Sequence, residues 1–311
     1  MKKLRRYAIL ATISLILLYT IVQLTMPGID FNPIQQLRFQ RQLTKISDNL
    51  NFAGEKVHFK SPQAYNNYYK ELRINTENNS STRLLMYYVS LYMPRIEAAL
   101  KSQGLPEDIK YVAVAESNLT LNTSQRGASG FWQMRDFTAR EYGLEVNEEV
   151  DQRYDLEKST IAASRYFKQA YGTFHSWTMA AASYNRGING LQRDINRQDD
   201  GNSYYDLDLN DETSKYIYKI LSMKELVSNP KKYGLKRYRV SHPRMKTIKV
   251  TESIPDLKAY LVRYSVTLDE LKFYNPWVMA NSLTIKKPGV NYILMIPVKN
   301  GRSPVLPDTA K

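Results

Sequence analysis

Glu116 is followed directly by Ser117 and, eleven residues on, by Gly127-Ala128-Ser129-Gly130-Phe131-Trp132-Gln133-Met134. A third group, Ala182-Ser183-Tyr184-Asn185, lies about fifty residues downstream of that turn. One acid, an aromatic wall and amide or hydroxyl groups are what a polysaccharide-cleaving groove requires. The acid carries the chemistry. It comes directly after Tyr111-Val112-Ala113-Val114-Ala115, at the C-terminal end of an expected helix. The negative pole of that helix and the apolar neighbours both disfavour the carboxylate. A carboxyl held protonated near neutral pH is suited to protonating a leaving oxygen.

The other residues divide between function and structure. Gly127 and Gly130 permit a tight turn and close backbone approach. Trp132 reads as core packing ahead of a sugar-facing wall. The Gln133 amide suits an acetamido group or the orientation of Glu116. Ser124 either donates to a sugar or is an ordinary turn serine. Ala180-Ala181-Ala182 allows close helix packing, and it leads to Tyr184 and Asn185 at a helix C-terminus with Gly187 as the stop. Tyr184 is within the logic of the site as a partner of the acid or of the substrate.

Helices must position these groups. The apolar spacing from Arg83 to Lys101 predicts a helix that Pro94 should kink or divide and Gly104 should end. Pro106, Glu107 and Asp108 suit the first turn of the next helix, which runs through Val112 to Glu116. Further helices are expected over 156–171, with Asp155 as N-cap, and over 176–187 and 211–228. Few segments between 62 and 228 alternate as strands do, so this region is expected to be α-helical. After 230 the pattern changes to strand (247–250), helix (254–264), helix (267–274) and strand (291–297), a compact α+β module.

The N-terminus carries Lys2, Lys3, Arg5 and Arg6 before an uncharged, largely apolar run from Tyr7 to Leu24. That length is at the lower edge of a membrane span. With no small-x-small cleavage site, an uncleaved signal anchor is favoured over a cleaved signal peptide. The basic cap would stay on the cytoplasmic side, leaving the remainder outside. The expected organisation is an anchor (1–24), a tether (25–61), a helical domain (62–235), the α+β module (246–298) and a disordered tail (299–311).

Composition narrows the function classes less sharply. The 311 residues carry a formal net charge of +14, which favours an anionic surface such as lipid head groups or a carboxylate-bearing polymer. No zinc-finger or RNA-binding signature supports a nucleic-acid partner. Cysteine is absent, which removes disulfides and thiolate chemistry. His58, His175 and His242 form no metal-ligand spacing, so neither a metal nor an organic cofactor is implied. Most of the 24 tyrosines are expected to serve structure.

Taken together, Glu116-Ser117, the Gly127–Met134 run and Ser183-Tyr184-Asn185-Arg186-Gly187 resemble the family 1 lytic transglycosylases, relatives of goose-type lysozyme. The resemblance extends through Tyr142-Gly143-Leu144, Tyr154-Asp155 and Asp211-Glu212-Thr213-Ser214-Lys215-Tyr216 to Lys232-Tyr233-Gly234, and looks most like the membrane-bound D branch. It covers residues 65–235. It implies a lysozyme-like α fold that cuts the β-1,4 bond between N-acetylmuramic acid and N-acetylglucosamine in peptidoglycan glycan strands. By the same resemblance, Glu116 acts first as acid and then as base on the muramic C6 hydroxyl, giving a 1,6-anhydro product. Ser117, Ser124, Gln133, Tyr184 and Asn185 would bind substrate. Ser183 stands where this branch usually has Ala. The C-terminal module resembles a LysM domain, with Asn275-Pro276 in its usual place, but it lacks the family's Gly-Asp turn near 251–253. That departure bears on glycan binding more than on the fold. The competing readings are a hydrolytic lysozyme on the same fold and an inactive wall-binding protein.

Overall fold

The computed structural model describes residues 50–59, 62–77, 79–198, 203–241, 243–286 and 289–298. The expected anchor (1–24), most of the tether and the tail (299–311) lie outside the described residues. Among those described, no helix is long and apolar enough to cross a membrane. The described residues fall into two units, one of 50–51 with 56–58 and one of 52–55 with those from 59 onward. In the first, the Val57 N–H donates to the Leu50 carbonyl at 3.2 Å.

The second unit holds the helices, as expected. After short strands β1 (Asn51–Phe52) and β2 (Glu55–Lys56) come α1 (Pro62–Glu77), α2 (Asn79–Ser102) and α3 (Lys110–Ser117). They are succeeded by α4 (Asp136–Glu141), α5 (Leu156–Phe174), α6 (Trp177–Arg186), α7 (Ile188–Ile195) and α8 (Asp211–Ser228). The start of α5 is set by Asp155, whose Oδ1 accepts the Lys158 N–H at 3.0 Å. Asn210 does the same for α8 through the Thr213 N–H at 3.0 Å.

Two boundaries differ from the sequence expectation. Pro94 does not divide α2, which runs unbroken from Asn79 to Ser102. Its missing N–H costs one rung of the ladder, but Met93 and Ile96 on either side are both buried in the core. Residues ahead of 62 also join the helical domain. Phe52 is buried, and the ring of Phe59 stacks on Tyr218 at 5.6 Å. The Glu55 carboxylate accepts the N–H groups of Trp177 (2.6 Å) and Thr178 (2.9 Å) at the start of α6. A carboxylate on a helix N-terminus satisfies orphan donors and complements the dipole.

The C-terminal module consists of β3 (Met245–Val250), α9 (Leu257–Leu261), α10 (Leu268–Tyr274) and β4 (Tyr292–Pro297). The strands pair antiparallel with Val250 opposite Tyr292 and Met245 opposite Pro297. Ile248, Val250, Tyr292, Leu294 and Ile296 turn inward in the period-two pattern of a one-faced sheet. The expected helix over 254–264 is instead α9 followed by a 3-10 turn at Val262–Tyr264. Pro255 precedes Asp256, whose carboxylate caps α9 from outside, which delays its start. Asn275 is enclosed, and its side chain works as a piece of strand. Its Nδ2 donates to the carbonyls of Leu271 (2.8 Å) and Met295 (2.6 Å), and its Oδ1 accepts the Met295 N–H at 2.7 Å.

Candidate active site

Helix α3 is short and almost wholly interior: Tyr111, Val112, Ala113, Val114 and Ala115 are all buried. Even Lys110 is enclosed, its ammonium paired with Glu97 at 2.6 Å and with Glu107. This packing fixes the helix, so Glu116 emerges at its last turn with its direction set. The helix stops because Asn118 (φ 51°) and Leu119 (φ 58°) both take the left-handed conformation. Two consecutive non-glycine residues in that region are strained. They are held by the Ser117 hydroxyl, which accepts the Leu119 N–H at 3.0 Å and donates to the Phe131 carbonyl at 2.8 Å. Ser117 therefore joins the end of α3 to the Gly127–Met134 turn.

Tyr216 on α8, one hundred residues downstream, donates its hydroxyl to Oε1 of Glu116. Burial raises the Glu116 carboxyl above its ordinary range, and the nearby charge of Glu212 adds to this. The Tyr216 hydrogen bond and the Lys219 ammonium oppose it without cancelling it. The phenols of Tyr216 and Tyr184 are both pushed well above their usual value, by burial first and by the Glu116 charge second. Both are neutral donors at any working pH. Of the two partners open to Tyr184 from sequence, the acid or the substrate, the acid is taken by Tyr216. Tyr184 instead donates to the Trp132 carbonyl at 2.7 Å and stacks on Phe167 at 5.1 Å.

Trp132 is a core residue, 1% exposed, with its indole N–H on Thr160 at 3.0 Å. Gln133 has φ 48°, and its Nε2 is spent on the carbonyls of Asn122 (2.8 Å) and Gly130 (3.0 Å). It braces its own turn and leaves Oε1 as the group with capacity for a ligand. The Ser124 hydroxyl is at the surface and accepts the Ala128 N–H at 3.0 Å. Asn185 is held at both ends of its amide, donating to Glu212 at 2.8 Å and accepting from Thr213 at 2.8 Å. Glu212 in turn reaches Arg126 of the turn segment at 3.8 Å, an exposed pair. Ser183 is fully enclosed and bonded within the helix core, which explains why a hydroxyl is tolerated there.

The structure thus gathers Glu116 and Tyr216, with Tyr184 felt electrostatically, while Ser117, Ser124 and Gln133 are tied into the turn. Tyr216 and Glu212 carry no assigned role from sequence. Their only signal is their place in the Asp211–Tyr216 stretch, since one tyrosine among 24 has no local mark.

Residues 93–206 match the Transglycosylase SLT domain, and residues 246–300 match the soluble lytic transglycosylase C-terminal LysM-like domain. Two curated relatives from strains of Escherichia coli, both membrane-bound lytic murein transglycosylase D, are 26% identical over 214 residues. That stretch is 67% of this chain and 47% of the relative, so the chain spans about half the length of the relatives it matches. An X-ray structure of an inactive mutant of the lytic transglycosylase Slt from Pseudomonas aeruginosa overlaps with a TM-score of 0.35 at 18% identity, covering 47% of this chain and 25% of that one. The overlap with that structure is too slight to carry an argument. The two family matches suffice: the chain carries a Transglycosylase SLT domain followed by a soluble lytic transglycosylase C-terminal LysM-like domain.

Proposed function

We propose that this protein is a peptidoglycan lytic transglycosylase whose single reacting carboxyl is Glu116. The observation that carries the reading is a carboxyl at a helix C-terminus, raised by burial and bonded to a neutral tyrosine hydroxyl. Its two curated relatives bear that activity in their names. In the first half of the reaction Glu116 gives its proton to the glycosidic oxygen as the bond to muramic C1 breaks. The new carboxylate is stabilised by the Tyr216 hydroxyl. It then removes the proton from the substrate's own C6 hydroxyl as that oxygen closes on C1. Glu116 ends protonated, no water is consumed, and the product is a 1,6-anhydro ring. One carboxyl suffices because the nucleophile belongs to the substrate, unlike the paired carboxylates of most glycosidases. Gln133 Oε1, Ser124 and Asn185 are proposed to line the groove, with Ser117 shaping it from behind.

Digestion of purified peptidoglycan by the intact chain, read by mass, tests the reading. Muropeptides one water lighter than hydrolysed ones are expected. Hydrated products would identify a lysozyme-type hydrolase, and binding without release would identify a wall-binding protein. The limits 62–235 and 246–298 are proposed as the catalytic and LysM-like parts, with Phe52, Glu55 and Phe59 packed onto the former; the family matches over 93–206 and 246–300 support both. For location we infer the cell envelope, with the basic, apolar N-terminus as an inner-membrane anchor facing the periplasm. An N-terminus still beginning at Met1 or Lys2 in protein from its native host supports the anchor, and one beginning beyond Leu24 supports a cleaved signal.

A further inference from the structure

The LysM-like module does not hang from the catalytic domain; it closes over the segment 145–155. The Asp151 N–H donates to the Trp277 carbonyl at 2.9 Å, and the Met279 N–H donates to the Glu149 carbonyl at 2.9 Å. Between them Val150 and Val278 form an antiparallel bridge. Val150 is 1% exposed, and the core it belongs to is that of the module, alongside Val250, Leu257, Trp277 and Leu294. The Glu149 carboxylate accepts the Ser282 hydroxyl, the Thr284 N–H (2.9 Å) and the Thr284 hydroxyl (3.1 Å). The Tyr292 hydroxyl donates to Glu145 at 2.9 Å. The Lys158 ammonium lies 5.8 Å from the Trp277 ring centre.

The same segment grips the catalytic turn. Asp151 and Arg153 form an ion pair at 2.7 Å with side chains only 8% and 11% exposed. With its remaining nitrogen Arg153 donates to the carbonyls of Gly127 (3.0 Å) and Met134 (3.3 Å), the two ends of the Gly127–Met134 run. A Cβ on Gly130 would stand 2.0 Å from the Arg153 carbonyl oxygen, so turn and segment are in direct backbone contact. That turn also receives the Ser117 and Tyr184 hydroxyls on its Phe131 and Trp132 carbonyls.

We propose that the LysM-like module is a working part of the catalytic domain, holding the active-site turn through Glu149, Asp151 and Arg153, with Glu149 and Tyr292 as positioning residues. The inference rests on the transglycosylase reading for its kinetic consequence but not for its structural one. The module face carrying Trp277, Ser282, Thr284 and Tyr292 is occupied by the protein's own segment.

The test compares full-length wild type in detergent with Glu149→Ala, with the conservative Tyr292→Phe, and with Val262→Ser on the exposed side of the module. The first readout is amide hydrogen exchange at residues 127–134. Exchange about tenfold faster is expected in Glu149→Ala, a smaller rise in Tyr292→Phe and none in Val262→Ser. The second is turnover of soluble, peptide-free glycan, where wall capture plays no part. Glu149→Ala is expected to lower kcat several-fold while KM and sedimentation with insoluble peptidoglycan stay as in wild type. Unchanged exchange at 127–134 in both docking variants would overturn the proposal. So would unchanged kcat accompanied by weaker sedimentation, the behaviour of a tethered binding arm. If wild type releases no anhydro product, the transglycosylase reading fails while the exchange result still decides the coupling.

Discussion

Glu116 is set between two opposing demands: burial keeps the proton on, and Tyr216 stabilises the charge once it leaves. Replacing Glu116 by Gln is expected to lower turnover by a factor of about a hundred to ten thousand, the usual contribution of a positioned acid–base group. Tyr216→Phe removes the bond that favours the carboxylate, so the Glu116 carboxyl should rise further. The alkaline limb of the pH–rate profile then moves to higher pH with a lower maximum, which a kcat-against-pH titration reads directly. The raised carboxyl also has a stability consequence. The folded state retains this proton to higher pH than the unfolded chain, so stability falls as pH climbs from the unfolded carboxyl value through the folded one, then levels. Glu116→Gln carries no such penalty. It should melt above wild type at about pH 8, with the gap closing towards about pH 4, where both side chains are neutral. Thermal denaturation across that range checks it.

The elements show where sequence reading succeeds and where it stops. The long helix α5 was legible because Asp155 marks its start, and α8 was expected over the residues it occupies, whereas its Asn210 cap emerges only from the structure. The strands of the module were legible as the short segments 247–250 and 291–297, the second carrying a continuous apolar run. Pro94 does not divide α2 because core packing continues on both sides of it, and no local pattern reports packing. Likewise Glu55 reads as an exposed acid in a tether, yet it caps a helix 122 residues away. The chemistry-bearing motif was legible as a set of types, but not the partition of its labour. Gln133 and Ser117 mostly fold the turn, and the acid's partner, Tyr216, comes from a distant helix. The turn itself is the most sensitive element. Gly130→Ala combines φ +76° with a Cβ 2.0 Å from the Arg153 carbonyl oxygen. It should cost at least ~2 kcal/mol in urea unfolding through backbone strain. Arg153→Met leaves Asp151 buried and unpaired, and about 3 kcal/mol is expected by the same measurement.

At the scale of the molecule, nothing in the sequence forecasts that Glu145, Glu149 and Val150 belong to the module's side of the structure. Two acids and a valine in a loop read as ordinary surface; beside their local bonds to Asn147, they are met by Trp277, Val278, Met279, Ser282, Thr284 and Tyr292 of the module. Shared burial at Val150 means the helical domain and the module should unfold together. Near-ultraviolet and far-ultraviolet melting curves of the full chain are expected to coincide, and two separated transitions would count against a shared core.

The placement of Val150 also bears on how such proteins can be recombined. A tail joined by a flexible linker can be swapped between enzymes at the linker, and each half remains whole. Here a cut near 245 leaves the transplanted module with a gap where Val150 sat and strips Glu149 of its three donors. The smallest exchangeable unit is discontinuous: residues 246–298 together with the segment 145–151. Any lineage or laboratory that trades this tail for another must trade that loop with it.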